Sequence, residues 1–373
     1  MDDYRVAVSD EALADLRERL HRTRWPADPA GLDWDRGAPL AHVRALAERW
    51  RDGYDWRGWE ARLNAWPQVV TEIDGATIHA AHVRSPEPGA LPLVISHGWP
   101  GSIAEFLDVA GPLSDPAAHG GDPADAFHLV LPSLPGFAFS GPTPDTGWGP
   151  RRIAGAFATL MERLGYDRYG TQGGDWGSSI SRWIGADHPE HVAGVHLNML
   201  SGAVPKEDDG SLTDEDRERW EQAKAFGRDG SGYYALQSTR PQTLAYALTD
   251  SPAGQLAWIA EKYEAWTDAP LHPDAVLTQA SIYWFTGTAG SSAQIYLEHV
   301  RAGGRGGVIE VQVPVGIAVF PKDITPPIRR FTHGMNIVRW TEMPRGGHFA
   351  AMEEPELLVD DIRAFFRGLR AAP

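Results

Sequence analysis

Apolar residues recur along this chain with two different periods. Leu13, Leu16 and Leu20 fall at i, i+3 and i+7 behind Ser9-Asp10, which predicts a serine-capped amphipathic helix stopped by Trp25-Pro26. A second helix is predicted over 39–50, so that residues 1–68 read as helical and tryptophan-rich. From Val69 the period shortens, and two alternating segments flank Asp74-Gly75, a dipeptide suited to a two-residue hairpin turn. Short apolar runs follow at 93–96, 128–131, 169–172, 192–197, 315–320 and 337–341, with helical stretches between them. Strands alternating with helices predict an α/β fold whose mostly parallel sheet is covered on both faces.

Between the fourth and fifth of these runs, residues 202–300 contain no comparable β run. A helical insertion of that size is expected to cap the carboxyl ends of the strands, where open α/β sheets bind ligands. The expected organisation is a helical segment leading into the first strands (1–90), a first part of the core (91–201), the cap (202–300) and a C-terminal part of the core (301–373). The Gly/Arg stretch 301–307 fits neither a phosphate-binding loop nor a dinucleotide fingerprint and reads as a connector.

The chemistry enters at Gly173-Gly174-Asp175-Trp176-Gly177, between the third run and a new helical period begun by Ile180 and Trp183. A strand, a sharp turn and a helix with small residues two places either side of a central acid make a nucleophile elbow. Such a turn strains the central backbone and tolerates only glycine-sized neighbours. A serine is usual at that position. A carboxylate there attacks an electrophilic carbon and leaves an alkyl ester, which points to epoxides or alkyl halides rather than esters or peptides. Taken alone, the same residues suit an aspartate capping a helix in a glycine-rich turn.

An elbow of this kind needs an acid and then a histidine downstream. Asp323 stands just past the run 315–320, and His348 lies in the glycine-flanked loop Arg345-Gly-Gly-His348, 25 residues further on. His348 would take a proton from water, with Asp323 fixing its tautomer. The alternative acid position, after the preceding strand, holds the neutral Asn198. Backbone amides of Trp99, in the loop His97-Gly-Trp-Pro-Gly-Ser102, and of Trp176 are the expected oxyanion donors.

Composition narrows the setting. With 34 basic residues against 50 acidic ones, the net charge is −16, which argues against nucleic acid as a partner. There is no cysteine, so disulfides, thiolate metal sites and cysteine nucleophiles are excluded. His79 and His82 lie on one predicted strand with opposite facing, His188 and His191 lie in a helix–strand loop, and no zinc-protease pattern occurs. No metal and no cofactor are therefore expected. The charged N-terminus lacks a signal-peptide core, and no apolar run approaches a membrane span. The expectation is a cytoplasmic protein off the membrane, with a homodimer as the simplest assembly. The 42% apolar content and 15 tryptophans suit a large core with an aromatic cavity.

Three segments in order, His97-Gly-Trp-Pro-Gly-Ser, Gly-Gly-Asp175-Trp-Gly and Arg-Gly-Gly-His348-Phe-Ala-Ala-Met-Glu-Glu-Pro-Glu, resemble the microsomal-type epoxide hydrolases. The stretch from Trp34-Asp-Arg-Gly-Ala-Pro-Leu to Trp66-Pro67 resembles that family's N-terminal region, so the resemblance covers nearly the whole chain. It implies an α/β-hydrolase fold with an N-terminal helical extension. It also implies hydrolysis of a small-molecule epoxide to a vicinal diol, and two cap tyrosines that hold the epoxide oxygen.

The cap offers tyrosines 233, 234, 246, 263, 283 and 296. The family's patterns match Gly232-Tyr233 through Gln237, and Tyr283-Trp-Phe-Thr-Gly-Thr through Ser291-Ser292 to Tyr296. They carry the role to Tyr233 and Tyr296, with Tyr234 an adjacent competitor. No counterpart of the family's membrane anchor is expected from this sequence, and aspartate stands at Asp323 where the microsomal enzymes have a glutamate. Xenobiotic or secondary metabolism is the expected setting. The rival readings are a haloalkane dehalogenase, which shares the Asp-Trp elbow, and a non-catalytic ligand receptor on the same scaffold.

Overall fold

The computed structural model describes residues 1–29, 33–208, 210–304 and 308–370. Among these, β1 (Asp2–Tyr4), β2 (Gln68–Ile73), β3 (Ala76–Val83), β4 (Leu91–Ser96), β5 (Phe127–Pro132), β6 (Tyr169–Gly173), β7 (Val192–Leu197), β8 (Val311–Val319) and β9 (Met335–Glu342) form one sheet. Its order is β1-β2-β3-β5-β4-β6-β7-β8-β9. The first three strands are antiparallel, β3 pairs antiparallel with β5, and the strands from β4 to β9 are mutually parallel.

Strand order reverses around β4, which lies between β5 and β6. A reversal of this kind opens a crevice at the strands' carboxyl ends, because the connections leave in opposite directions. The hairpin between β2 and β3 turns through Asp74 (φ 53°) and Gly75 (φ 77°), both left-handed as a two-residue turn requires. One strand departs from the helical expectation for residues 1–68. β1 pairs antiparallel with β2, Asp3 opposite Val69. Three residues are too few to carry a readable alternation, and their partner makes them a strand.

The helices are α1 (Asp10–His21), α2 (Leu40–Asp52), α3 (Trp56–Leu63), α4 (Ala110–Ser114), α5 (Pro150–Arg163), α6 (Asp175–Asp187), α7 (Asp214–Ala225), α8 (Gly232–Gln237), α9 (Pro241–Asp250), α10 (Pro252–Ala265), α11 (Pro273–Thr286), α12 (Ala289–Ser292), α13 (Gln294–Arg301), α14 (Ala350–Glu353) and α15 (Pro355–Arg367). Ser9 caps α1, its side chain accepting from the Ala12 amide, and Leu16 and Leu20 are buried. The connector anticipated at 301–307 ends in residues 305–307, which lie outside the described residues.

Alternation along the strands assigns helices to opposite faces. A Cβ at Gly194 would meet the Phe365 ring of α15 at 3.0 Å, whereas the next residue, Val195, packs against Gly185 of α6. Gly170, Gly194 and Gly316, on neighbouring strands, together make room for Phe365 and Phe366. Helices α7 to α13 all lie between β7 and β8 in the chain.

The N-terminal helices brace this insertion. Trp50 donates its indole N–H to Ser281 Oγ at 2.8 Å, Tyr54 is bonded to Thr278 Oγ1, and Arg49 makes a bidentate pair with Asp274. All three partners lie on α11. The first helices of the chain and a helix more than 200 residues later are thus one packing unit.

A Cβ at Gly316 would lie 2.6 Å from Phe365 Cδ2. Gly316→Ala should therefore destabilise the protein by about 1–3 kcal/mol, the usual cost of overpacking a filled core. Urea unfolding measures this, and Phe365→Leu in the same chain should recover part of the loss.

Candidate active site

The crevice beside β4 is filled by the elbow. β6 ends at Gly173, and α6 begins two residues later with Asp175 at φ 48°, a left-handed conformation that costs a non-glycine residue on the order of 1–3 kcal/mol. What enforces it is the close approach of β4. A Cβ at Gly177 would sit 1.9 Å from the Ser96 carbonyl oxygen, and one at Gly173 would sit 2.3 Å from the Gly177 carbonyl carbon. Gly98 leaves room for the Asp175 side chain itself, since a Cβ there would fall 2.2 Å from Oδ1. Asn198 accepts from Gln172 Nε2 at 2.7 Å and closes against Gly174, so this neutral residue supports the turn from behind.

Both oxygens of Asp175 are addressed. The Trp99 amide donates to Oδ1 at 2.8 Å, and His348 Nε2 lies 3.5 Å from Oδ2. His348 Nδ1 is bonded to Asp323 Oδ1 at 2.7 Å, and that oxygen also accepts from the Ile324 amide. Trp176 is in the first turn of α6, where amides have no intrahelical acceptor, and the helix N-terminus favours a carboxylate. Asp175, Asp323, His348, Trp99 and Trp176 are thus brought to one place.

The loop carrying His348 is clamped to the cap and to α14. The His348 amide donates to the Trp266 carbonyl at 2.8 Å, and Glu353 accepts from the amides of Asp268, Gly347 and Phe349. Buried His97 is bonded through Nδ1 to the Gly98 carbonyl, while its Nε2 accepts from the Leu134 amide. Burial pushes its pKa down to about 4, so it stays neutral and holds the loop.

His348 is different. Burial opposes its charge, but hydrogen bonding to Asp175 and then to Asp323 outweighs burial and raises its pKa to about 10. The resting site is therefore an imidazolium between two carboxylates.

A cavity of about 700 Å³ opens above Asp175, lined also by Tyr233, Tyr234 and Tyr296. Tyr233 stacks on Trp99 at 5.2 Å, Tyr296 packs edge-on against Trp176 at 4.7 Å, and the two tyrosine rings are 5.8 Å apart. Burial, with the nearby Asp175 charge adding to it, pushes both phenols well above their usual range, so both remain donors. Tyr296 Oη is buried against the Trp176 indole and the Tyr233 phenol, and among the described residues no hydrogen bond of ordinary geometry satisfies it. Tyr234 is less buried, its ring 5.3 Å from Tyr296. The other cap tyrosines are occupied or remote. Tyr263 donates to the Pro100 carbonyl and Tyr283 to the Gly101 carbonyl, while Tyr246 is exposed.

Two ionisable residues at the site were not singled out by sequence. Lys262 is buried, paired with Glu261, and its ammonium stands 4.6 Å over the Tyr233 ring. Glu105, three residues past the Trp-Pro-Gly-Ser102 turn, packs against Gly101. Desolvation lifts its carboxyl to about 8, which His348 opposes and Asp175 reinforces. Spacing from the His97 motif was the available signal for Glu105. Nothing in the sequence marked Lys262. Among the described residues no group of three or more His, Asp or Glu is placed to hold a metal ion, and no helix is long and apolar enough to cross a membrane.

Removing the Asp175 charge should lower the His348 pKa, because a hydrogen-bonding carboxylate that stabilises the imidazolium is lost while burial remains. NMR titration of the ring in Asp175→Asn should give a midpoint below that of the parent. An unchanged midpoint would mean that the two side chains are not coupled.

The chain matches the epoxide hydrolase N-terminus family over residues 1–106 and the alpha/beta hydrolase fold family over 92–245. A protein of Stigmatella aurantiaca, provisionally named an epoxide hydrolase, is 46% identical over 99% of this chain and 85% of its own. Epoxide hydrolase 1 of Sus scrofa is 34% identical, over 97% of this chain and 87% of its own. The solved structure of Aspergillus niger epoxide hydrolase superposes with a TM-score of 0.89 at 34% identity, covering 99% of this chain and 96% of that one. With these relatives aligned along almost its entire length, and the elbow built as described, the chain belongs to the epoxide hydrolase family of α/β-hydrolases and is a hydrolase enzyme.

Proposed function

We propose that this enzyme hydrolyses an epoxide to a vicinal diol through an alkyl ester on Asp175, without a cofactor, in xenobiotic or secondary metabolism. The observation that carries the reading is the double address of one strained carboxylate. Trp99 holds Oδ1, His348 approaches Oδ2, and two neutral phenols share the cavity. Ionised Asp175 attacks an epoxide carbon, the C–O bond breaks, and a phenol of Tyr233 or Tyr296 protonates the departing oxygen. The proton lost by the phenol is replaced at the expense of the imidazolium.

Forming the ester removes the charge beside His348, which lowers its pKa and leaves it neutral. It then takes a proton from water as the oxygen attacks the ester carbonyl, and the amides of Trp99 and Trp176 receive the developing charge. Collapse of the tetrahedral intermediate releases the diol and restores the Asp175–His348 ion pair. A halide could meet the indole N–H of Trp176, which is buried beside the Tyr296 phenol with no well-formed hydrogen bond among the described residues. The adjacent phenol of Tyr296 favours an oxygen acceptor over a halide.

A single turnover in ¹⁸O-water with excess enzyme should give mostly unlabelled diol, with label in the peptide containing Asp175. His348→Gln should accumulate an adduct equal in mass to the substrate. Label passing straight into the diol would overturn the ester. Tyr233→Phe and Tyr296→Phe should each slow ester formation, by about 10²–10⁴-fold if the phenol acts as a general acid. Tyr234→Phe should be milder. If Tyr234→Phe proved damaging and Tyr233→Phe silent, the first donor is the neighbouring ring. In stopped flow, ester hydrolysis should fail on acidification at a higher pH than ester formation does, because only hydrolysis needs the neutral imidazole.

A further inference from the structure

Helix α6 carries more than the nucleophile. Asp175, Ser179 and Arg182 fall at i, i+4 and i+7, which places them on one stripe, and all three line the same cavity. Seven residues of helix separate the α-carbons of Asp175 and Arg182 by roughly 10 Å along the axis. The cavity wall between and around them is largely apolar, including Trp183, Met199 and Leu200.

Arg182 has no carboxylate partner among the described residues. Its hydrogen bond is to the neutral Ser179 Oγ at 3.3 Å, and its Nε is buried without a partner. The other two cavity arginines are satisfied. Arg151 makes a bidentate pair with Asp187, and Arg152 pairs with Asp74 and Asp145. Apart from the nucleophile, no acidic side chain lines the cavity among the described residues, although the chain carries a net charge of −16.

Desolvating a cation without a counter-ion is unfavourable, and an anion supplied by the ligand would relieve that cost. Burial lowers the Arg182 pKa only to about 10, so the guanidinium is charged at neutral pH. Its planar fork matches a carboxylate in two parallel hydrogen bonds.

We propose that Arg182 is an anchoring residue for a carboxylate on the substrate, so that the preferred substrates are epoxy acids long enough to span from Asp175 to the Arg182 guanidinium. The proposal rests on the epoxide-hydrolysis reading above and adds the substrate class. Short epoxy acids are disfavoured, because a carboxylate that cannot reach Arg182 is held near the negative Asp175. Chain length therefore acts as a ruler between the two ends of the α6 stripe.

The test uses straight-chain ω-epoxy carboxylic acids of increasing length, each paired with its methyl ester. For the parent enzyme, the ratio of kcat/KM for acid over ester should rise with length to about 10–100-fold, as expected for a charge-assisted contact, and then fall. Arg182→Gln should bring the ratio to about one, and Arg182→Lys should retain part of it, because lysine keeps the charge without the fork. Esters turned over as well as acids at every length, or a preference that survives Arg182→Gln in a folded variant, would overturn the proposal.

A second measurement needs neither a variant nor turnover. Saturated straight-chain carboxylates should bind the parent protein more tightly than the corresponding amides by calorimetry, and equal binding would also overturn it. Failure to hydrolyse any epoxide, neutral or acidic, would instead count against the reaction itself, while the carboxylate–amide comparison would still decide the anchor.

Discussion

The approach of the β4 backbone to the start of α6 is the constraint on which the site depends. The Ser96 carbonyl passes so close to Gly177 that no side chain fits there, and the turn that results holds Asp175 at φ 48°. The same approach brings the Trp99 amide onto Oδ1, because Trp99 lies just beyond β4. Strain at Asp175 and a donor on its carboxylate thus have one structural cause, the adjacency of β4 and β6 at the reversal of strand order. A side chain free to rotate on an ordinary helix would lose entropy on reaching the same geometry, whereas here the backbone has already fixed it.

That geometry is secured from the cap side as well. Tyr263 and Tyr283 tie the carbonyls of Pro100 and Gly101, and Ser102 donates to Gln279 of α11. The Trp266 carbonyl receives the His348 amide. The N-terminal helices press on the same cap through Trp50, Tyr54 and Arg49. Cap, extension and sheet therefore hold the loops after β4 and β9 from both sides. The extension thereby fixes α11, whose Gln279 and Tyr283 in turn hold the loop after β4.

Electrostatics gives the proposed cycle its order. In the resting site His348 is stabilised as an imidazolium by two carboxylates despite its burial. Consuming the charge on one of them converts the same ring into a base at the moment water must be activated. The phenols behave oppositely: burial beside Asp175 keeps them protonated, and protonated is the form that donates. Burial and the Asp175 charge act together on both tyrosines, whereas on the histidine the two carboxylates oppose burial.

Local pattern determined much of this protein. The period-two and helical runs located β4 to β9 to within a few residues, and Asp74-Gly75 located the hairpin, because these features depend on neighbours close in sequence. Glycines around Asp175, an acid after β8 and a histidine after β9 marked the residues that meet in the crevice, since the order of strand ends is fixed by chain direction. The family resemblance supplied Tyr233 and Tyr296, which periodicity could not separate from the other cap tyrosines. Tertiary structure alone decided what depends on distant partners. It made β1 a strand through β2, occupied Tyr263 and Tyr283 with carbonyls 163 and 182 residues away, and placed Lys262 over Tyr233. It also left Arg182 in the cavity without an acid among the described residues. Whether a polar group is satisfied depends on everything packed around it, and that is a property of the folded chain.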